Sequence, residues 1–281
     1  MIAAAAGLGL AVGAVIGGLG GGGGILTVPV LVYLLGQAAP EATTSSVVIV
    51  GITALAGAAA RVRGGIAWGT AAAFGALGIP AAHLGTRLNQ HVAEPVLLLS
   101  FAGITLTAAA AMLLHGRRDE PGPGQADRHR PPARAPGASN LLAAPPAAPP
   151  HRRLATGATV VASGLAVGFL TGFLGVGGGF LVVPALVIAL RMPMTLAIGT
   201  SLTVIAVNAA SSLVARLPAT GLDWQVVVPF TVAAVIGTVV GKRVCDRFSG
   251  ADLNRAFAVL LVLVGAFVGV ESALQLAGAT S

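Results

Sequence analysis

The sequence predicts an all-α, polytopic transmembrane helical bundle of two repeated halves with glycine-broken, re-entrant helices. Three observations carry that expectation. The 281 residues are 56% hydrophobic and only 9% charged, and the mean hydropathy of +0.91 suits a chain dissolved in lipid rather than in water. Apolar runs of roughly 20 residues, long enough to cross a hydrocarbon core, fall near 42–60, 66–86, 95–114, 196–215, 224–241 and 253–274. Two longer runs, 2–36 and 154–190, are interrupted by one motif in two copies. It reads GGLGGGGGILTVPVL from Gly17 to Leu31 and GFLGVGGGFLVVPAL from Gly172 to Leu186, 155 positions later.

The likeness extends to the flanks of the motif. An offset of 155 also pairs Gly13 with Gly168, Ser46 with Ser201, Thr53 with Asn208 and Arg61 with Arg216. After one inserted residue, an offset of 156 pairs Gly65 with Gly221, Trp68 with Trp224, Gly85 with Gly241, Arg87 with Arg243 and Phe101 with Phe257. The chain therefore divides into a first transmembrane repeat over 1–114, a Pro/Arg-rich segment over 115–153 and a second repeat over 154–281. The middle segment has seven arginines, many prolines and no apolar periodicity, which predicts a disordered linker.

The broken runs cannot be single straight spans. At about 1.5 Å per residue, the 35 residues from 2 to 36 would make a helix of roughly 52 Å against a core of about 30 Å. Each run is either a full helix followed by a short second piece or a re-entrant hairpin with its glycine turn inside the membrane. Irregular backbone at that depth survives only where it is buried in protein or lines a wet cavity.

Charge distribution separates the two topologies. If each broken run enters and leaves on one face, the halves are inverted. The linker side then carries 14 of the 16 Lys and Arg, leaving only Arg87 and Arg216 opposite. If each run crosses once, the split is 10 to 6. The inverted arrangement obeys the positive-inside rule far better and predicts a cytoplasmic linker with both termini outside. The same counting explains the net charge of +7 without nucleic acid as a partner, since the charges sit in loops between spans.

Several function classes lack their residues. Cys245 is the single cysteine, so neither an internal disulfide nor a CxxC pair exists. HExxH, GxSxG and GxxxxGK[ST] are all missing, as are paired aspartates within spans, so neither an intramembrane enzyme nor a P-loop NTPase is expected. No metal or cofactor is expected. Glu41, Glu94, Asp223, Asp246, Asp252 and Glu271 fall at or near span ends, which argues against a buried-carboxylate proton relay. The apolar N-terminus lacks the basic start of a signal peptide, since no Lys or Arg precedes Arg61, and its match to an internal segment predicts that it is retained.

These residues also carry a family resemblance. Two copies of a glycine cluster followed by a hydrophobic pair and Val-Pro, the AIGTSL at 197–202, Asn208 beyond it and the GK at 241–242 resemble the TauE/SafE family of sulfite and organosulfonate exporters. The resemblance covers both halves and leaves the linker unmatched. The first half departs from it with TTSS at 43–46 in place of IGTS, and Thr53 in place of Asn208. What it implies is a multi-pass transporter of small, often sulfur-containing anions in a bacterial inner membrane. The alternative is an anion channel, or a permease for another small anion.

The candidate substrate site follows from the breaks. A helix that restarts after a glycine turn exposes unpaired N–H groups and a partial positive charge, which favours an anion without a full cation in lipid. The expected binding residues are Gly20, Gly21, Gly22, Gly23 and Gly24 with Pro29, and Gly175, Gly177, Gly178 and Gly179 with Pro184. Both prolines are expected in a first helical turn. A second layer of donors comprises Thr44, Ser45, Ser46 and Thr53 in the first half and Gly199, Thr200, Ser201 and Asn208 in the second. Their plain alternative is bonding to the i−4 carbonyl or to a neighbouring helix. Arg61 and Arg216 end paired helices and either meet the anion or snorkel to the interface. Gly7, Gly9, Gly13, Gly164 and Gly168 are read as helix-packing positions. The partners expected are the lipid bilayer, a small anionic substrate and, as one option, a second copy of the chain.

Overall fold

The computed structural model of the chain describes residues 2–21, 23–63, 65–89, 91–92, 94–116, 150–174, 179–216 and 223–278. Among them there is no strand. The helices are α1 (Ile2–Leu19), α2 (Gly23–Pro29), α3 (Ala39–Ala59), α4 (Trp68–Asn89), α5 (Glu94–Gly116), α6 (Pro150–Leu174), α7 (Gly179–Pro184), α8 (Met194–Arg216), α9 (Trp224–Cys245) and α10 (Gly250–Gly278). Both ends of the segment expected to be irregular, 115–153, belong to α5 and α6. Residues 117–149 lie outside the described residues.

Six helices among the described residues are long and apolar enough to cross a membrane, namely α3, α5, α6, α8, α9 and α10. At 22 residues α4 is long enough as well, but its C-terminal half carries Pro80, His83, Thr86, Arg87 and Asn89. Start signals are local. Asp223 caps α9 by accepting from the Gln225 N–H at 3.0 Å, and Ser249 with Asp252 forms a reciprocal capping box at the start of α10.

Two helices pass directly into a wider π-helical turn, α2 over Val30–Leu34 and α7 over Ala185–Ala189. Proline explains the switch, since Pro29 and Pro184 lack the N–H that would continue the i→i−4 ladder. They sit at the end of α2 and α7, not in the first turn as expected from sequence. Each π-turn closes alike, with the Gln37 N–H donating to the Leu31 carbonyl at 3.0 Å and the Met192 N–H to the Leu186 carbonyl at 3.1 Å. The residue before each donor is left-handed, Gly36 at φ +69° and Arg191 at φ +50°. This is the usual geometry for stopping a helix, with a glycine in one half and a strained arginine in the other.

Close packing pairs the halves. Gly9, Gly13 and Gly17 of α1 lie against the backbone of Phe230, Ala234 and Thr238 of α9. The constant spacing along both chains means that the two helices run parallel. Gly164, Gly168 and Gly172 of α6 meet Phe74, Gly78 and Ala82 of α4 in the same way. A methyl group at Gly13 or Gly172 would overlap a carbonyl of the partner helix, whereas Gly7 faces open space. By contrast, α3 and α8 are antiparallel, with Gly51 near Ala209 and Gly57 near Leu202. So are α5 and α10, where Asn254 Nδ2 donates to the Met112 carbonyl at 3.0 Å and Gly269 lies near Ala102.

These directions define two ends of the bundle. The C-terminal ends of α3, α5 and α9 and the N-terminal ends of α8 and α10 share one end, called here the linker face. α1 runs toward it and α6 runs away from it. α2 lies beside α3, with Gly24 near Val50, and leads back toward the start of α3. The N-terminal end of α3 and the C-terminal ends of α4, α6 and α8 share the opposite, terminal face.

Gly13→Val should drive a side chain into the Ala234 carbonyl and cost at least about 1–3 kcal/mol of overpacking. The expected outcome is loss of the monodisperse peak in fluorescence-detected size exclusion for this variant and for Gly168→Val, with Gly7→Val matching the wild type.

Candidate functional site

A cavity of about 260 Å³ opens between the halves toward the terminal face. Its described lining comes from α2 (Gly24, Val28), α3 (Thr43, Ser46, Val47, Val50), α4, α6 (Thr171, Gly172) and α8. Every polar side chain in it is uncharged or histidine. Ile79, His83, Thr86 and Asn89 recur at three- and four-residue spacing, so one face of α4 forms a wall. From α8 come Asn208, Ser211 and Ser212. The amide oxygen of Asn208 is buried without a hydrogen-bond partner among the described residues. It can only accept, so an anion would be met by the Nδ2 hydrogens of this side chain and not by the oxygen.

The described ends of the two broken runs lie in contact beside this cavity. Gly20, at φ +83°, adopts a conformation that side chains rarely tolerate, and its Cα packs on Ile198. Gly21 touches the Gly179 carbonyl, and Gly179 in turn packs on Ile205, a cavity-lining residue. The tips of the two broken runs therefore meet each other. Phe180, fully buried beside this contact, anchors α7 edge-on to Phe101 of α5, with ring centroids 5.2 Å apart.

A second cavity of about 370 Å³ lies on the linker face, lined by Ala60, Arg61, Arg63, Gly65, Thr195, Leu196, Ile198, Lys242, Cys245, Asp246 and Leu253. Ile198 thus lines this basin and also packs on Gly20. Lys242 pairs with Asp246 at 2.7 Å in an exposed geometry of small energetic weight. The Arg61 guanidinium donates to the Gly17 carbonyl near the end of α1, and to the Gly57 carbonyl at 3.3 Å. Burial pushes its pKa below the ordinary arginine value, an effect opposed by the nearby Asp246 carboxylate and Cys245.

The sequence candidates separate into three groups. Gly24, Ser46 and Asn208 line the polar cavity, although Ser46 Oγ also donates to the Thr43 carbonyl at 2.8 Å. Gly20, Gly21, Gly23, Gly179, Pro29 and Pro184 belong to the two turns or the short helices after them. A third group is engaged in the scaffold. Ser201 Oγ donates to the Gly20 carbonyl at 2.9 Å and to the Ile198 carbonyl at 2.8 Å. Thr200 Oγ1 accepts from the Ala67 N–H at 3.0 Å and donates to the Leu196 carbonyl. Gly199 touches the Gly65 carbonyl, and Thr53 Oγ1 bonds to the Ile49 carbonyl one turn back at 2.7 Å. Thr44 and Ser45 are buried in α3 and do not line either cavity. Arg216 ends α8 at the terminal face. Gly22, Gly175, Gly177 and Gly178 lie outside the described residues.

Sequence reading missed Thr43, His83, Thr86, Asn89, Thr171, Ser211 and Ser212. The signal for α4 was present, because His83, Thr86 and Asn89 make a polar stripe at helical spacing in an otherwise apolar run. Among the described residues no group of three or more His, Cys, Asp or Glu is arranged to hold a metal ion.

Comparison with known proteins places these features in a family. The family described as Sulfite exporter TauE/SafE matches residues 5–268. A probable membrane transporter protein of Xylella fastidiosa strain 9a5c is 32% identical over 261 residues, covering 92% of this chain and 90% of its own. Its counterpart in strain Temecula1 is 30% identical over the same shares. The probable membrane transporter protein YunE of Bacillus subtilis is 26% identical over 105 residues, 37% of this chain and 38% of its own. No solved structure matches.

Ser201→Ala should leave the buried Gly20 carbonyl without its donor, at a cost of about 1–3 kcal/mol. Thermal unfolding in detergent should begin several degrees lower, roughly 2–4 °C per kcal/mol for a chain of this order of size. Ser212→Ala, at the cavity wall, should unfold with the wild type.

Proposed function

The chain belongs to the sulfite exporter TauE/SafE family of membrane transporters, and we propose that it exports a small anion, sulfite or an organosulfonate, from a bacterial cytoplasm through the cavity between its halves. The observation that carries this reading is the pair of cavities on opposite faces, separated by the contact of the Gly20–Gly21 turn with Ile198 and Gly179. A carrier needs a site reachable from one face while the other is shut, and this geometry supports that state.

An anion suits the polar cavity because its described lining has hydroxyl and amide donors but no carboxylate. Asn208, Ser211 and Ser212 can donate to oxyanion oxygens, as can the second Nδ2 hydrogen of Asn89, whose first goes to the Phe173 carbonyl at 2.6 Å. Ser46 and Thr86 already donate to the Thr43 and Ala82 carbonyls. Gly24 brings the start of α2 to the cavity wall, and a helix start favours negative charge. The sealed turns favour a carrier over an open pore, because the described backbone of the two tips is in contact.

We further read the halves as an inverted pair, with the linker cytoplasmic. The parallel pairing of α1 with α9 and of α6 with α4, together with the antiparallel pairing of α3 with α8, supports opposite directions for matched helices. In this arrangement Arg61, Arg63, Lys242, Arg243, Arg247 and Arg255 lie toward the linker face, as the positive-inside rule requires. Outward movement of one negative charge down an inside-negative potential releases about 2.3 kcal/mol per 100 mV, enough to drive facilitated export.

Reconstituted protein should give saturable sulfite or sulfoacetate efflux that accelerates with an imposed inside-negative potential. Asn208→Ala should raise the KM about tenfold, the equivalent of one hydrogen bond of about 1.4 kcal/mol. Efflux of neither anion, or single-channel currents in place of saturable flux, would reject this reading. Independently, a reporter fused after Ser281 should be active only in its extracytoplasmic form, and a cytoplasmic signal would reject the inverted arrangement.

A further inference from the structure

His83 is the one titratable side chain in the described lining of the polar cavity. It stands on the cavity-facing stripe of α4, between Ile79 and Thr86. Its Nδ1 lies 2.9 Å from the Ile79 carbonyl. A carbonyl can only accept, so Nδ1 carries the hydrogen of that bond and Nε2 is the atom left to gain or lose a proton. The side chain is exposed on the open cavity wall, so water can carry a proton to and from Nε2.

The surroundings make this proton matter. On α4, Arg87 follows one turn later and is exposed. The described part of α6 against this wall, 157–174, has no charged residue, and α2 has none. α3 contributes Glu41 in its first turn, exposed at the same face, and the charged residue of α8 is Arg216 at its end. Within the cavity itself nothing else described can carry a charge. The repeat does not require a histidine here, because the matching position at offset 156 is Val239.

We propose that His83 is a proton-binding site inside the anion cavity, and that protonation at Nε2 supplies the positive charge that holds the anion against Asn208 and the hydroxyls. The proposal rests on the reading that this cavity takes an anion. A bulk proton adds to the Nε2 lone pair, no other bond changes, and anion and proton each strengthen the binding of the other by the same factor. The sign is fixed. An imidazolium attracts an anion and a neutral imidazole does not, so anion affinity is highest at low pH and falls as pH rises and the proton leaves.

The test is calorimetric binding of methanesulfonate, whose charge is constant with pH, to the full chain in nanodiscs. From about pH 5 to about pH 8, the range in which histidine changes charge, the wild-type Kd should weaken about tenfold, the factor for one unit of coupling. Repeating the titration in buffers of different ionisation enthalpy should show uptake of up to one proton per anion near neutral pH. His83→Gln should bind weakly at every pH with no proton uptake. His83→Lys should restore tight binding and leave it flat across the range, a rescue that a purely structural role for His83 would not produce. Proton uptake and the wild-type pH slope surviving in His83→Gln would overturn the proposal. Wild-type binding that is flat with pH would overturn it while leaving the anion site standing. Failure of methanesulfonate and sulfite to bind at any pH would reject the anion cavity itself.

Discussion

The close parallel contact of α1 with α9, and of α6 with α4, is the constraint on which the rest of the structure depends. Lipid tails are as apolar as leucine, so helices in a membrane gain little from hydrophobic burial and must associate through tight van der Waals fit. Glycines at every fourth position provide that fit on both seams, with the partner's carbonyls against the glycine backbone. In each seam the first helix of one half packs on the third long apolar run of the other. The halves therefore interlock, and neither can place its own glycine turn without its partner. The meeting of Gly21 with Gly179 is the geometric consequence.

Interlocking also decides how the polar atoms are used. Broken helices leave carbonyls and N–H groups that lipid cannot satisfy, and donors from elsewhere in the bundle answer several of them. Ser201 serves the Gly20 carbonyl and Arg61 serves Gly17. Such groups are committed to the scaffold. In the polar cavity Ser46, Thr86 and Asn89 likewise donate to backbone carbonyls, which leaves the Asn208 amide, Ser211 and Ser212 as the donors not committed to a backbone carbonyl among the described residues.

Much of this was legible in the sequence, and the limits have physical causes. The long helices follow the apolar runs closely, since spanning length and backbone satisfaction leave few alternatives in lipid. Gly9, Gly13, Gly164 and Gly168 were readable as packing positions from their spacing, whereas Gly7 shares the composition but not the contact. The roles of the hydroxyls were not legible, because a threonine or serine in a membrane helix looks the same whether it bonds to a ligand or to a carbonyl. Thr200 and Ser201 are held by the backbone, yet Ser211 and Ser212 face the cavity. The prolines misled for a related reason. Their missing N–H fits the start of a helix, but it fits the change from α to π geometry equally well. The stripe on α4 stands out only faintly in the sequence because histidine, threonine and asparagine carry no fixed charge and sit among alanine, leucine and glycine.

The repeat makes the two cavities counterparts, yet their charges differ in a way that bears on direction. At offset 156, His83, Thr86 and Asn89 of α4 correspond to Val239, Lys242 and Cys245 of α9. The linker-face basin thus holds permanent cations in Arg61, Arg63 and Lys242, and an anion arriving there meets positive potential at any physiological pH. The terminal-face cavity holds no permanent cation in its described lining. His83 is the one titratable side chain in that lining. Fixed charge suits capture, because it concentrates a dilute anion, but the same charge would slow departure on the far side. A titratable group suits release, because loss of one proton weakens binding without moving the backbone. Under the proposed reading, capture on the linker face and release on the terminal face would favour passage from the first to the second.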